Sequence, residues 1–438
     1  MPGPRPTVER KSCAACRPVS LAPRSPGPLA WQTKTDGRLI RHARYFVLHL
    51  AKGYLTQSLF RQIVRRIDRK SRVIEYAGGC TKAATRDIPA DGGDVRALVK
   101  TQKGPGFLDL RDIPRPTLDR HDVLVRVEYC GICGSDLHFW KDEAPYFPPV
   151  VLGHEFAGTI VEVGADVRAW RPGDQVVAEP HQRFCGTCGY CRTGNIQMCP
   201  DRRAVGWGVD GALAEFVRLS DLVLHRIPNT VSLREAALCE PLAVAVHAAY
   251  EDGRIRAGES VVVLGAGPIG LLCAAVARAC GASPVIVAGM SRDEKHRLPA
   301  ARAMGADATV NVETDDVVAR VNELTGGRGS EVTIEAAGTA TAVRDAIRVT
   351  RRLGRVVGVS VMNRPEILLP WNEALLRGLT ITFTFSSTYS AWEKALELLG
   401  SRRIDVTPMI TADVPLDRWL EAFRALDEGR ATKLLLTP

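Results

Sequence analysis

The stretch SVVVLGAGPIGLLCAAVA, residues 260–277, decides the fold of the chain. It contains no charged residue and is therefore compatible with a membrane span. The Gly-x-Gly-Pro break in its middle, however, favours a buried strand, a tight turn and a helix. The first glycine permits the turn, the second lets the backbone approach a pyrophosphate, and the third lets the helix pack on the strand. The helix N-terminus attracts phosphates. The motif therefore predicts a dinucleotide site built from Gly265, Gly267, Pro268, Ile269 and Gly270.

The sequence on either side predicts two kinds of architecture. After the motif, apolar strands such as SPVIVAG, ATVNV, EVTIEAAG and GRVVGVS alternate with helical stretches such as EKHRLPAARAMG, which is typical of a parallel sheet in an α/β domain. Before it, from about Val95 to Cys239, short strands and Gly/Pro turns predict a small β-barrel. Near the end we expect a helix over Leu416–Glu428 and a closing strand, TKLLLTP.

Composition and charge exclude several classes of protein. The chain has 438 residues, of which 45% are apolar and 24% charged, as in ordinary soluble globular proteins. The net charge of +9 comes from residues 1–94, which hold 18 basic and 7 acidic residues, so that 40 basic and 42 acidic residues remain. We therefore expect no nucleic-acid partner and no membrane partner for the body of the chain. Seven of the twelve cysteines lie between Cys130 and Cys239, which favours metal ligation in a reducing, cytoplasmic compartment.

The first 94 residues differ from the rest of the chain. Their Pro- and Arg-rich start predicts disorder and does not resemble a secretory signal. Arg41–Lys70 is compatible with a basic amphipathic helix, and a targeting helix is one explanation of it. A start codon assigned too far upstream, or a loose extension, explains residues 1–94 better. Cys13 and Cys16 form a C-x2-C pair without a second pair nearby, so we assign them no metal.

Four cysteines lie close together in FCGTCGYCRTGNIQMC, residues 184–199. Four thiolates fill a tetrahedral zinc shell and leave no position for water, so this spacing predicts a structural site. Unrelated cysteines and an iron–sulfur cluster are the alternatives, although the spacing differs from the usual ferredoxin runs. The predicted structural zinc ligands are Cys185, Cys188, Cys191 and Cys199.

A second metal site is split along the sequence. Cys133 lies in YCGICGSDLHFW, His154 and Glu155 lie in VLGHEFAG, and Glu240 lies in CEPLAVAVHAA. One thiolate, one imidazole and one or two carboxylates would give zinc three protein ligands and an open position, which is the arrangement of a catalytic site. A bound alcohol in that position would lose its proton near neutral pH. Each residue taken alone has an ordinary structural explanation.

The choice of coenzyme is read at the end of the second strand, in VIVAGMSRDEK. Gly289 stands where an NAD enzyme usually has an acid, so no carboxylate is available there for a ribose 2′-hydroxyl. Ser291 and Arg292 follow, and both suit a 2′-phosphate. We favour NADP; the alternative is that Arg292 is a solvated residue and Asp293 binds the ribose.

These motifs, in this order, resemble the zinc-dependent medium-chain dehydrogenase/reductase family, and in particular its sorbitol and threonine dehydrogenase branch. The resemblance covers about Val95 to Pro438. It implies an α/β fold with a GroES-like β-barrel catalytic domain and a Rossmann coenzyme domain with a doubly wound parallel sheet. The expected organisation is a leader (1–94), a catalytic domain with the zinc lobe (95–241), a coenzyme domain (242–384) and a C-terminal return to the catalytic domain (385–438).

The resemblance also implies roles for single residues. Cys133 and His154 match the first two catalytic zinc ligands, Glu155 can coordinate or step back, and Glu240 matches a glutamate that binds zinc directly or through water. Asp136 fits the carboxylate that orients the ligand histidine. Ser135 matches the hydroxyl that begins the proton relay and His138 a residue that continues it. Cys130 and Cys239 are interpreted as packing thiols.

The predicted function is a zinc-dependent oxidoreductase, with two zinc ions per chain, that moves hydride between a secondary alcohol and NAD(P). Sorbitol-oxidising members carry an arginine near Ser386, where this chain has a small hydroxyl, and Phe139 stands where Tyr is frequent. We therefore expect a polyol, cyclitol or amino alcohol as substrate. The family resemblance suggests a homodimer or homotetramer. The alternative function is a non-catalytic NAD(P)-binding sensor on the same fold.

Overall fold

The structure, a computed structural model, describes residues 93–362 and 364–438. The predictions for residues 1–92, including the amphipathic helix and the Cys13–Cys16 pair, lie outside these residues. In chain order the strands are β1 (Asp94–Lys100), β2 (Leu108–Pro114), β3 (Asp122–Gly131), β4 (Val150–Val151), β5 (Glu155–Val163), β6 (Gln175–Ala178), β7 (Phe216–Ser220), β8 (Leu224–Arg226), β9 (Val261–Leu264), β10 (Val285–Gly289), β11 (Ala308–Asn311), β12 (Ser330–Glu335), β13 (Thr350–Gly358), β14 (Thr380–Phe383), β15 (Ile410–Pro415) and β16 (Lys433–Thr437).

The α-helices mostly follow the strands of the second half of the chain. They are α1 (Gly134–Lys141), α2 (Gly189–Arg192), α3 (Leu233–Ala236), α4 (Cys239–Val246), α5 (Pro268–Ala279), α6 (Arg297–Ala303), α7 (Val317–Leu324), α8 (Ala340–Val349), α9 (Trp371–Arg377), α10 (Tyr389–Gly400) and α11 (Trp419–Asp427). The predicted C-terminal helix begins as a 3₁₀ turn over Leu416–Arg418 before α11.

A six-stranded parallel sheet contains the strands of the coenzyme motif in the order β11-β10-β9-β12-β13-β14. The order reverses between β9 and β12, and this reversal is the point at which open α/β sheets bind ligands. The turn after β9 leads into α5, whose first residue is Pro268. Residues 260–277 are therefore a strand, a turn and a helix, as predicted. Among the described residues, none of the helices combines the length and apolarity that crossing a bilayer needs.

The strands between residues 94 and 226, together with the two C-terminal strands, form two further sheets in which all pairs are antiparallel except the parallel pair β15–β16. One has three strands in the order β2-β1-β4, and the other has seven, in the order β15-β16-β3-β5-β6-β8 with β7 also paired to β3. The closing strand β16 pairs with β3 through Leu435 opposite Gly131 and Leu436 opposite Cys130. The last residues of the chain therefore complete a sheet that begins more than 300 residues earlier, which brings Lys433 close to the loop that carries Cys133.

Two large apolar clusters support the two kinds of sheet. One joins α4, α5 and α10 to β9, β10 and β12, and it includes the fully buried Trp392. The other fills the antiparallel part and includes Phe156, Leu213 and Phe423. Cys239 lies in the first cluster and Cys130 in the second, and both thiols are fully buried.

Candidate active site and zinc lobe

Strand pairing brings the split metal site together. β3 and β5 are antiparallel neighbours, and Gly131 at the end of β3 lies opposite Glu155 at the start of β5. The loop after β3 and the loop before β5 therefore leave the sheet at the same edge. The ligand atoms of Cys133, His154 and Glu155 lie within 4.8 Å of one another.

A buried carboxylate links the first two of these residues. Asp136, on the first turn of α1, accepts the Cys133 backbone N–H through Oδ2 at 2.9 Å. Its Oδ1 lies 3.8 Å from Nδ1 of His154, and neither of these two buried atoms has a hydrogen-bond partner among the described residues. Burial lowers the pKa of His154, but the charges of Cys133 and Asp136 raise it to a value well above the usual range. In zinc sites the ligand histidine usually turns its other ring nitrogen toward a carboxylate. The pair formed by Asp136 Oδ1 and His154 Nδ1, next to the thiol of Cys133 and the carboxylate of Glu155, fits that arrangement.

Glu155 is held by a lysine from the end of the chain. Nζ of Lys433 lies 2.6 Å from Oε2 of Glu155 and donates to the carbonyl of Ile132 at 2.9 Å. Both charged side chains are 2% exposed. Burial lowers the pKa of Lys433, but the charges of Glu155 and Cys133 raise it above its usual value. The lysine therefore stays charged and fixes the carboxylate next to the candidate ligands.

The other predicted site residues surround this cluster. Glu240 is buried on α4 and lies outside the group formed by Cys133, His154 and Glu155. Burial raises the pKa of Glu240 to about 7, against the opposing effect of the His154 charge. Oγ of Ser135 lies 3.5 Å from Nε2 of His154. His138 is exposed, and its Nδ1 lies 2.8 Å from the Glu143 carboxylate.

The four-cysteine loop has the dimensions of a tetrathiolate site. All four sulfur atoms lie within 4.8 Å of one another, and Sγ of Cys185 lies 3.9 Å from that of Cys191 and 3.7 Å from that of Cys199. Four sulfurs at a zinc–sulfur distance of about 2.3 Å are separated by about 3.8 Å in a tetrahedron. Backbone N–H groups of Cys188 and Thr187 lower the pKa of Cys185 to about 6. Burial and hydrogen bonds with the thiols of Cys188 and Cys199 raise the pKa of Cys191 to about 12. The sulfur–sulfur distances are therefore the observation that fits one zinc ion in this loop.

The glycine turn has the shape that a dinucleotide requires. Gly265 has φ of +114°, and a Cβ on it would lie 2.7 Å from the backbone of Ala336. A Cβ on Gly270 would lie 1.9 Å from the carbonyl oxygen of Gly265, so helix and strand are in contact there. A Cβ on Gly267, in contrast, would meet no atom within 4 Å, because the backbone faces open space. This is the side from which a pyrophosphate approaches the N-terminus of α5.

The coenzyme-specificity segment follows β10. A Cβ on Gly289 would lie 2.9 Å from the Leu298 side chain, so the position has little space for a larger residue. The carboxylate of Asp293 is buried; it accepts the Met290 N–H at 2.9 Å and pairs with Arg297 at 3.1 Å. Its hydrogen-bonding capacity is used inside the fold, which weighs against a role in binding the ribose.

The two residues proposed for a 2′-phosphate are both exposed. The hydroxyl of Ser291 accepts a hydrogen bond from Asn311 at 3.1 Å, and Arg292 makes no ion pair of 4.0 Å or less with another described residue. The Ser291 N–H is donated to Glu313 at 2.7 Å. No local sequence pattern predicts this glutamate, since it lies beyond the next strand, β11.

Comparison with known proteins agrees with this geometry. The family "Alcohol dehydrogenase GroES-like domain" matches residues 119–229, and the family "Zinc-binding dehydrogenase" matches residues 268–401. A sorbitol dehydrogenase from Halalkalibacterium halodurans is 37% identical over 344 residues, which is 78% of this chain and 99% of that protein.

The chain belongs to the zinc-dependent medium-chain dehydrogenase/reductase family. This zinc-dependent alcohol dehydrogenase is also similar to a D-arabitol-phosphate dehydrogenase from Enterococcus avium, with 36% identity over 350 residues, 77% of this chain and 98% of that one. A zinc-binding dehydrogenase from Sinorhizobium meliloti, solved bound to NADP, superposes with a TM-score of 0.74 at 33% identity and covers 79% of this chain and 99% of that chain. The predicted family, the GroES-like and Rossmann fold class, and the zinc and NAD(P) cofactors are confirmed.

Sequence reasoning missed two basic residues at the site of this dehydrogenase. Lys433 is the one charged residue in the predicted strand TKLLLTP, and a lysine in an apolar closing strand was the available signal. Arg202, three residues after the last cysteine of the lobe, hydrogen-bonds to the buried His181. No pattern in the sequence connects Arg202 with the rest of the site.

Proposed function

We propose that the protein oxidises a secondary alcohol, a polyol, cyclitol or amino alcohol, with transfer of hydride to NAD(P), and that it also runs the reverse reaction. The observation that carries this proposal is the convergence of Cys133, His154 and Glu155, with Asp136 behind them. A sensor that only binds nucleotide has no use for three convergent metal donors, so the alternative of a non-catalytic protein is disfavoured.

In this proposal Cys133, His154 and Glu155 would hold the catalytic zinc, with Glu240 nearby as a further carboxylate. Bound zinc would supply Lewis acidity to an alcohol oxygen, and bound NAD(P) would supply the hydride acceptor. Asp136 orients His154 through Nδ1 and fixes the Cys133 backbone. Lys433 keeps the Glu155 carboxylate in one place. Cys185, Cys188, Cys191 and Cys199 hold the structural zinc.

The proton of the alcohol leaves through side chains of α1. Ser135 is close enough to His154 for its hydroxyl to reach a substrate oxygen next to that ligand. We assign to Oγ of Ser135 the acceptance of the substrate proton, while its own hydroxyl proton moves on toward His138 and the serine stays neutral. His138, exposed and paired with Glu143, passes the proton to solvent.

We propose NADP as the preferred coenzyme, held by Gly265–Gly270 at its pyrophosphate and by Ser291 and Arg292 at its 2′-phosphate. The open space at Gly267 and the unpaired Arg292 support this. Glu313 must release the Ser291 N–H, so the preference should be modest. Arg292→Ala should lower the ratio of kcat/KM for NADP to that for NAD, and Glu313→Gln should raise it. Equal ratios in all three proteins would contradict this assignment.

The decisive experiment is a panel of polyols, inositols and amino alcohols assayed with NAD and NADP in parallel. Zinc should be counted in the same preparation, and about two ions per chain are expected for the enzyme. One ion per chain and no turnover with any alcohol would favour the sensor.

The remaining organisation is also proposed. The domain limits 95–241, 242–384 and 385–438 are supported by the return of β16 to the sheet of β3. A homodimer or homotetramer is supported by β14, which is an edge strand of the parallel sheet and leaves Phe383 78% exposed. An edge strand with apolar side chains can pair with the same edge of a second copy. Light scattering of the zinc-loaded protein would test this, and a monomer would refute it.

A further inference from the structure

Arg202 is a half-buried cation without a counterion within reach. It lies between the zinc lobe and the short segment that leads to Trp207, and no carboxylate of the described residues comes within 4.0 Å of its guanidinium. Its Nε donates to Nδ1 of His181 at 2.8 Å. Nε2 of the same histidine lies 3.3 Å from the Ser387 carbonyl oxygen, so one ring nitrogen accepts and the other donates.

His181 cannot neutralise this charge. The histidine is fully buried, and burial together with the charge of Arg202 lowers its pKa to about 3. The imidazole is therefore neutral at physiological pH and acts as a fixed support for the arginine. It leaves the two terminal nitrogens of the guanidinium without a hydrogen-bond partner among the described residues.

Aromatic rings surround the free end of the arginine. The guanidinium carbon lies 5.7 Å from the ring centre of Trp207 and 5.5 Å from that of Phe385. Trp207 in turn stacks on Phe147 at 5.7 Å. Phe385 is 53% exposed, so this wall faces an open space and not the core. Rings at these distances hold a guanidinium plane and reduce its contact with water.

The contacts of Arg202 place it beside the carboxyl edge of the parallel sheet. Phe385 and Ser387 follow β14 at the carboxyl edge of the parallel sheet, where ligands of such sheets bind. Burial lowers the pKa of Arg202, and the Glu240 carboxylate offsets part of that effect. The pKa of Glu240 is in turn affected by the charges of His154 and Glu155. Glu240 therefore lies in electrostatic range of the metal cluster and of Arg202.

We infer that Arg202 binds an anionic group, a phosphate or a carboxylate, on the substrate, so that the physiological alcohol is a polyol phosphate or a sugar acid. The inference rests on the proposed dehydrogenase function and specifies its substrate class. A guanidinium offers two parallel N–H donors that match an oxyanion, and a desolvated charge without a partner is costly unless a ligand supplies one. The competing explanation is that Arg202 only balances the charge of Glu240.

The kinetic test compares three substrates on one carbon skeleton, a neutral pentitol or hexitol, its monophosphate and the corresponding aldonate. The zinc-loaded full chain is used with saturating coenzyme. The wild type should prefer one anionic form over the neutral one by roughly tenfold or more. Arg202→Met should reduce that preference roughly 10- to 100-fold, and Arg202→Lys should retain part of it. The anionic form that is preferred identifies phosphate or carboxylate as the ligand.

Arg203→Met is the matched control. It removes the same charge from the next residue, whose guanidinium lies 4.5 Å from the Phe147 ring centre. This variant should keep the wild-type preference. If Arg202→Met lowers kcat/KM equally for neutral and anionic substrates, Arg202 only balances the charge of Glu240 and the inference is wrong. A wild type that does not prefer an anionic substrate over the neutral one would also overturn it.

A binding measurement separates this inference from the proposed function. Calorimetry of the aldonate and of the polyol phosphate with the coenzyme-saturated protein should give at least tenfold weaker binding in Arg202→Met than in the wild type. Unchanged binding would refute the anion site even in an active enzyme. Absence of turnover with every alcohol would refute the dehydrogenase function, while the calorimetry would still decide the role of Arg202.

Discussion

Replacement of Lys433 by methionine tests how the active site is held together. The change removes a charge that is 2% exposed, 2.6 Å from an equally buried Glu155 carboxylate, and it leaves the Ile132 carbonyl without its donor. Removing one partner of a buried ion pair costs about 3–5 kcal/mol, because the other charge stays buried and unpaired. At about 2 °C per kcal/mol for a chain of this size, Lys433→Met should lower the Tm by about 6–10 °C.

The double variant distinguishes the ion pair from a packing effect. Glu155→Gln combined with Lys433→Met should be less destabilised than the sum of the two single variants, by about 1–3 kcal/mol. Differential scanning fluorimetry of zinc-loaded samples at equal concentration gives all four values. The control is Lys141→Met, which breaks an ion pair with Asp427 whose side chains are 37% and 35% exposed, and which should cost about 1 kcal/mol or less. A Tm shift for Lys433→Met no larger than that of the control, or strictly additive single effects, would refute the reasoning.

Four further predictions concern the metal sites, the coenzyme turn and pH. Cys133→Ser should lower turnover by orders of magnitude while coenzyme binding, measured by fluorescence titration, stays close to that of the wild type; wild-type turnover would remove this cysteine from the mechanism. Cys188→Ser should lower the Tm and reduce zinc from about two ions per chain to about one, and an unchanged zinc count would contradict the tetrathiolate site. Gly267→Ala should fold with an unchanged Tm but bind NADP at least roughly tenfold more weakly, whereas Gly270→Ala should lose about 1–3 kcal/mol of stability, because its Cβ would overlap a carbonyl oxygen at 1.9 Å. Burial lowers the pKa of His225, but hydrogen bonds to two glutamates raise it above the usual value. The charged histidine therefore stabilises the fold below about pH 6.5, and this contribution disappears as the pH rises through the folded-state pKa. His225→Gln should flatten the dependence of Tm on pH in that range, and an unaltered profile would count against this prediction.

Local patterns predicted the parts of the fold whose signals lie within a few residues. The glycine turn follows an apolar strand directly, so its structure needed no distant information. The next predicted helix was too long at its start, because the chain turns at residues 294–296 and the helix begins at Arg297. Pro299 lacks an N–H and is tolerated only in the first turn of a helix, which explains this late start.

Strand β14 was not predicted. Its sequence TITF is partly exposed, and an exposed edge strand lacks the continuous apolar run that identified its neighbours. Ser386, a small hydroxyl in place of the arginine of sorbitol-oxidising members, lies three residues after this strand. The structure shows that the backbone there serves as acceptor, since the Ser386 carbonyl bonds to His247 and the Ser387 carbonyl to His181. Backbone roles of this kind leave no trace in residue type.

The candidate metal donors were found from the sequence because thiol and imidazole side chains have few other uses in such motifs. The charges around them were not found, because their partners are distant in sequence: Lys433 and Glu155 are 278 residues apart. Only a completed antiparallel sheet brings them together. Sequence can therefore name candidate donors of a split site, but the ion pair that holds one of them depends on topology.

Lys433 and Arg202 show how buried charges in one site come to have different roles. Lys433 is fully buried and Arg202 is half-buried, and each charge raises the cost of folding unless an anion is near. Lys433 has its anion within the chain, in Glu155, so its charge contributes to a fixed scaffold. Among the described residues, the guanidinium of Arg202 contacts a neutral histidine and two aromatic rings but no carboxylate, so its compensation must come from Glu240 at longer range or from a ligand. A cation that has no anionic partner nearby in the fold is available to bind an anionic group of a substrate. Replacing Arg202 should therefore change the substrate specificity of this enzyme, whereas replacing Lys433 should change its stability.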